Sequence, residues 1–177
     1  MNISKTLVLD FGSQVTKLIA RKIRELNVYS EIVPFDTKIE DILEINPDCI
    51  IFSGSPASVH DKNAPNISLR ILNSGIPILG ICYGAQLISK ILGGKIEKSR
   101  IREFGPSRLK KISRSKILKN ISSNQISWMS HGDTIIKLPK SLKVVARSEF
   151  GSISIFSSPN SRIIGTQFHP EVMHTSF

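Results

Sequence analysis

Gly80-Ile81-Cys82-Tyr83-Gly84 lies between an apolar run, Ile76 to Leu79, and a stretch with helical spacing, Ala85 to Leu92. A nucleophilic side chain set between small residues at a strand-to-helix junction is the pattern of a nucleophile elbow. The turn is so tight that its flanking positions accept little beyond glycine. It also needs a buried strand before it and a packed helix behind it, so it commits the chain to a layered α/β arrangement. The reactive side chain is a cysteine. The positive end of the following helix dipole, and any histidine brought near, would favour its thiolate. The other cysteine, in Cys49-Ile50-Ile51-Phe52, has no such frame and reads as an inert core residue.

The rest of the first half supports the same class. Thr6 to Phe11 reads as a buried strand, and Val15, Leu18, Ile19, Ile23 and Leu26 then follow helical spacing. Tyr29 to Phe35 alternates as a strand, Ile39 to Ile45 is a short helix closed by Pro47, and Cys49 to Ser53 is another strand. Ser68 to Asn73 reads as helical. Strands alternating with helices predict an open, mostly parallel sheet flanked by helices. Beyond Gly93-Gly94 the chain predicts a β-rich second half, with short strands at Ser107–Ile112, Thr134–Leu138, Val144–Arg147, Ser152–Phe156 and Arg162–Phe168. No linker or repeat interrupts it, so residues 1–177 are expected to form a single domain.

Composition limits the alternatives. Hydrophobic residues make up 40% and charged residues 21% of the 177, a globular balance. No apolar run approaches 18 residues, and Met1 to Lys5 lacks a signal-peptide core, so no membrane span and a cytoplasmic location are expected. Two cysteines at unrelated spacing make neither a disulfide framework nor a zinc site, so no metal is expected. The net charge of +10 opens a nucleic-acid reading. The basic residues are dispersed, however, with one modest cluster from Arg100 to Lys119 and no interleaved aromatics, so a solvated or partner-facing surface is expected instead. There is no Gly-x-x-x-x-Gly-Lys loop and no Gly-x-Gly-x-x-Gly fingerprint, so the chain carries no sign of a bound nucleotide. Asp10-Phe11-Gly12 spells a kinase triplet without the strand lysine or catalytic loop that would give it meaning.

A second chemical feature lies far downstream, where the apolar run Ile163 to Phe168 ends in His169-Pro170-Glu171. Proline holds its predecessor extended, and in an extended segment positions i and i+2 point the same way. Glu171 could then orient the His169 imidazole. Cysteine, histidine and carboxylate are the parts of a nucleophilic triad. His131, in Trp128-Met129-Ser130-His131-Gly132-Asp133, is the rival base, with Asp133 at i+2; the strand leading into His169 favours His169. Ser53-Gly54-Ser55-Pro56 follows a strand and exposes backbone amides. Those of Ser55 and Tyr83 could form an oxyanion hole.

Gly80-Ile81-Cys82-Tyr83-Gly84-Ala85-Gln86 together with His169-Pro170-Glu171 resembles the class I (triad) glutamine amidotransferases. Leu9 to Gln14, Arg102-Glu103-Phe104-Gly105, the Trp128–Asp133 block and Gln167 to Thr175 look, within that class, like the amidotransferase domains of GMP synthases. The resemblance spans essentially the whole chain. It implies Cys82 as nucleophile, His169 as base and Glu171 as orienting acid. It further implies Gly54, Gln86, Ser130, His131 and Gly132 as the glutamine-binding positions, partly through backbone, which moves His131 from base to binding. The family's usual Gly-Gly-Pro is Gly54-Ser55-Pro56 here, and a peptide flip at Ser55 would be costlier than at glycine. The resemblance also implies L-glutamine as substrate and, as partner, an ATP pyrophosphatase domain or subunit. ATP and Mg2+ would be held only by that partner, leaving this chain without a cofactor. The sequence ends at Phe177 without those further domains. Two other readings stay open at this stage: a different elbow-cysteine enzyme, such as a γ-glutamyl hydrolase, and a non-catalytic basic binding module.

Overall fold

Leu7, Val8 and Leu9 have no solvent exposure at all, a pattern that only a strand covered on both faces allows. The computed structural model describes residues 4–113, 115–119, 121 and 125–175, with the side chains of residues 99–102 and 116 outside the description. The strands β1 (Lys5–Asp10), β2 (Tyr29–Pro34), β3 (Cys49–Phe52) and β4 (Ile78–Ile81) alternate with helices α1 (Thr16–Glu25), α2 (Ile39–Ile45), α3 (Leu69–Leu72) and α4 (Tyr83–Ile91). They pair in parallel and are joined, across β4, by β9 (Ile163–Thr166). The second half continues the same sheet antiparallel through β5 (Lys95–Lys111), β6 (Ile126–Lys137), β7 (Lys143–Ser148) and β8 (Ile153–Ser157). The nine strands run in the order β2-β1-β3-β4-β9-β8-β7-β5-β6.

The two faces are covered by different helices. Val8, Ile51 and Ile81 pack against Ile19 and Ala20 of α1. On the opposite face Leu7, Leu9, Ile50, Phe52 and Ile78 pack against Tyr83, Leu87 and Ile88 of α4, with Ile42 of α2 and Ile71 of α3. Successive strand residues point to opposite faces, so one apolar run feeds both layers.

Two expected strands are longer than the sequence suggested. The short strand expected at Ser107–Ile112 is the end of the 17-residue β5, and the one expected at Thr134–Leu138 begins at Ile126, so that Trp128–Asp133 lies in the middle of β6. Its burial alternates, with Ser127, Met129, His131 and Asp133 inside. The polar residues and Gly132 disguised a strand whose buried side chains are partly hydrophilic. The basic cluster from Arg100 to Lys119 falls partly outside the described residues, Arg114 and the Arg102 side chain included.

Candidate active site

The elbow forms where α4 starts directly after β4. A Cβ on Gly80 would come within 2.7 Å of Ala85 N, and one on Gly84 within 2.6 Å of Phe52 O. Both are closer than real Cβ atoms approach backbone, so glycine is required by contact with the helix on one side and with β3 on the other. Cys82 takes φ 51°, ψ −104°, a conformation that costs a non-glycine residue on the order of 1–3 kcal/mol. Two backbone bonds hold it: Cys82 N–H donates to Thr166 O at 2.8 Å, and Cys82 O accepts from Gln86 N–H at 3.1 Å.

β9 is the parallel neighbour of β4, so the segment leaving β9 passes beside the elbow. Its His169 Nδ1 bonds Glu171 Oε1 at 2.8 Å. Glu171 sits in a turn rather than in the extended segment expected, and reaches His169 by that turn. Thr175 pins the turn: its hydroxyl donates to His169 O at 2.7 Å and accepts from Trp128 N–H at 3.0 Å. The His174 ring packs tilted against Trp128, 4.7 Å between ring centroids and 36° between planes. These roles of Thr175 and His174 could not be read from the sequence, because both interactions cross to β6.

Burial works against a charged His169, but hydrogen bonds to the Cys82 sulfur and Glu171, and their charges, outweigh it and raise its pKa to about 10. A protonated imidazole beside the sulfur is what this favours. The folded value lies above the unfolded one of about 6.5, so the stability it contributes is fully present below pH 6.5 and is lost as pH rises through about 10. In Cys82→Ala the sulfur's hydrogen bond and charge are gone, so the His169 titration, followed by NMR of the imidazole protons, should move down by about one unit or more. The high-pH loss of stability should begin correspondingly earlier. A titration still centred near 10 in that variant would show that Glu171 alone sets the value.

The rival histidine is placed differently. His131 is buried, its Nδ1 bonding Asp133 O at 2.9 Å and its Nε2 lying 3.9 Å from Glu103 Oε2. Burial lowers its pKa against the opposing pull of Glu103. Its ring is turned into the β5–β6 layer, so it meets the cleft through its backbone. Cys49 is likewise set apart, its thiol pushed up to about 11 by burial.

A cleft of about 600 Å³ opens in front of Cys82, walled by Gly12 to Val15 after β1, Ser55 to Ser58 after β3, Gln86 of α4, Ser130 to Asp133 of β6, and His169. Ser55, Tyr83, Gln86, Ser130, His131 and Gly132 therefore all reach it. Gly54 does not line it: it lies behind His169, where a Cβ would come 3.2 Å from the imidazole Cε1. The absence of a side chain at Gly54 gives the imidazole room. Ser55 is not among the described positive-φ residues, and its hydroxyl accepts from Ala57 N–H at 3.2 Å. The Tyr83 side chain belongs to the core, its ring against Phe11 and its hydroxyl donating to Pro65 O at 2.5 Å. Its amide lies in the first turn of α4, directly after Cys82.

The sequence reading missed Asp133. It is the single carboxylate among the described residues of the lining, is buried, and accepts from Ser58 Oγ at 2.5 Å. The i+2 relation to His131 was visible, but its place on the cleft wall depends on β6 lying across the sheet from the elbow. Among the described residues no group of three or more His, Cys, Asp or Glu side chains is placed to hold a metal, and no helix is long and apolar enough to cross a membrane.

The chain belongs to the class-I glutamine amidotransferase family, whose model matches residues 7–177. It is 46% identical over 177 residues to a glutamine-hydrolysing GMP synthase of Syntrophomonas wolfei, covering all of this chain and 35% of that protein. The corresponding enzyme of Aquifex aeolicus is 48% identical over 171 residues, covering 97% of this chain and 34% of that one. The chain thus spans about a third of the length of the curated relatives it matches. Among solved structures, a candidate GMP synthase component of Thermoplasma acidophilum superposes with a TM-score of 0.82 at 34% identity, covering 99% of this chain and 88% of that one. A glutamine amidotransferase of Thermotoga maritima gives 0.80 at 25% identity, with 97% and 78% covered.

Proposed function

We propose that this chain is the glutamine-hydrolysing module of a GMP synthase, with Cys82, His169 and Glu171 as its triad. The observation that carries the reading is the strained Cys82 on the cleft wall, hydrogen-bonded to an imidazole whose Nδ1 lies 2.8 Å from Glu171. Cys82 Sγ attacks the side-chain amide carbon of glutamine, forming a C–S bond and a tetrahedral oxyanion. The amides of Ser55 and Tyr83 are the donors for that oxyanion. As the C–N bond breaks, His169 gives its proton to the departing nitrogen and ammonia leaves. His169 then takes a proton from water, the hydroxide attacks the thioester, and glutamate departs with the thiolate restored.

The α-ammonium group of glutamine finds its counter-charge in the Asp133 carboxylate. Gln86 and the backbone of Ser130, His131 and Gly132 border the same part of the cleft. The ammonia serves a synthetase domain or subunit that carries ATP and Mg2+ and aminates adenylylated XMP. Full-length similarity of this chain to one third of the GMP synthase chains supports that division of labour.

Ser55 in its resting conformation gives the partner something to complete. In a glutamate-release assay the isolated chain should turn over slowly, near or below about 1 per second. An ATP pyrophosphatase partner with XMP and ATP should raise the rate by aligning the Ser55 amide. Full activity of the isolated chain would reject the coupling, and no glutamate release even with the partner would reject the function.

A further inference from the structure

Gln167, one residue past β9, is buried at 2% exposure beside the nucleophile. A buried primary amide needs partners for its oxygen and its nitrogen, and the partners settle which way it points. The chain of hydrogen bonds starts at Asp133 O, which can only accept. Gln86 Nε2 donates to it at 2.9 Å, which fixes the Gln86 amide. The same nitrogen also donates to Gln167 Oε1 at 3.4 Å. That leaves Gln167 Nε2 facing Cys82 Sγ, 3.7 Å away.

On its other side Sγ has Ser130 O, at 3.6 Å. A carbonyl accepts from the S–H and so favours the thiol, while an amide N–H donates to the sulfur and favours the thiolate. The two neighbours therefore pull the protonation state in opposite directions. His169 supplies a charge to the thiolate, but it must give its proton away during turnover. Gln167 keeps its donor throughout the cycle.

Taking Cys82 as the nucleophile proposed above, we infer that Gln167 is a positioning residue that holds Cys82 Sγ as a thiolate through an N–H···S bond, and that Gln86 orients it for that task. Gln86 thereby has a structural duty alongside its place on the cleft wall. It also ties the sulfur, through two side-chain amides, to the β6 strand that carries the far wall of the cleft.

The test is the pH dependence of Cys82 alkylation by iodoacetamide, without glutamine, with the labelled cysteine identified by peptide mapping. Gln167→Met keeps the volume and removes the donor. Its alkylation midpoint should rise by about one pH unit, a roughly tenfold loss of thiolate below the midpoint. In the same variant kcat for glutamine should fall while KM changes little. Gln167→Glu keeps size and polarity and replaces the donor with an acceptor; it should shift the midpoint at least as far and reads the same effect if the Met variant fails to fold. Either shift should persist in a His169→Ala background, because the bond does not pass through the imidazole. An unchanged midpoint in a folded Gln167 variant, or a shift that vanishes in the His169→Ala background, would overturn the inference. A wild-type midpoint near the free-cysteine value of about 8.5 would overturn the nucleophile assignment itself, and this inference with it.

Discussion

Cys82→Ala should abolish glutamine hydrolysis, lowering turnover by roughly 10⁴-fold or more, while the protein stays folded. The size of the effect follows from the chemistry. Without Sγ no thioester forms, and the residual rate is what the oxyanion donors and the cleft achieve with water as nucleophile. The fold should survive because Cys82 is held by its backbone, through Thr166 O and Gln86 N–H, and alanine keeps both bonds. Besides its bond with the His169 imidazole, the sulfur makes long, weak bonds to Ser130 O at 3.6 Å and Gln167 Nε2 at 3.7 Å. Glutamate release and a thermal melt on the same preparation test the two halves separately. Near-normal turnover would remove Cys82 from the mechanism. Loss of folded protein would mean that the sulfur is a core atom after all. A glutamine-analogue electrophile should label Cys82 and leave Cys49 untouched, since burial keeps the Cys49 thiol protonated.

His169→Ala should cost roughly 10³–10⁴-fold in kcat, and Glu171→Gln less, about 10–10³-fold. In the proposed mechanism the imidazole performs both proton transfers, and the amide nitrogen is a poor leaving group unless it is protonated as it departs. Glu171 acts at one remove: it fixes the ring through Nδ1 at 2.8 Å and helps keep the imidazolium charged. A glutamine in its place can still accept from Nδ1–H through its amide oxygen but brings no charge. The second carboxylate oxygen of Glu171 is buried without a hydrogen-bond partner among the described residues, so the amide group also needs new partners there. Steady-state kcat and KM for both variants decide the order. If His169→Ala were the milder change, the base would lie elsewhere, although His131 is turned away and kept neutral by burial.

The features legible in the sequence share one property: they are local. Glycines two positions either side of a cysteine, between a buried strand and a helix, specify an elbow because the steric demand arises within a few residues. The alternation of strands and helices to Ile91 was legible for the same reason, since each apolar period reflects an element's own geometry. Glu171 was found by spacing, although a turn rather than an extended strand brings it to His169. The β6 strand was hidden because its inward side chains include serine, histidine and aspartate, whose burial is tolerated by partners on β5 and in the loop after β3. That Gly54 lies against the His169 ring is likewise set by the fold, since the two are far apart in sequence.

Sequence by itself determined the fold class and the family, and it singled out Cys82, His169 and Glu171 as the candidates for a triad. Tertiary structure alone decided how those residues meet and what surrounds them. Pairing β9 beside β4 carries His169 to Cys82. The long β5–β6 extension brings Asp133 O to Gln86 across 47 residues of sequence, and Ser130 O to Cys82 across 48. The orientation of Gln167 is set by Gln86 and Asp133 together, and Gln86 lies 81 residues before it in sequence. A side-chain amide has no preferred direction until a partner takes one of its ends, and that partner is supplied only when the sheet closes around it.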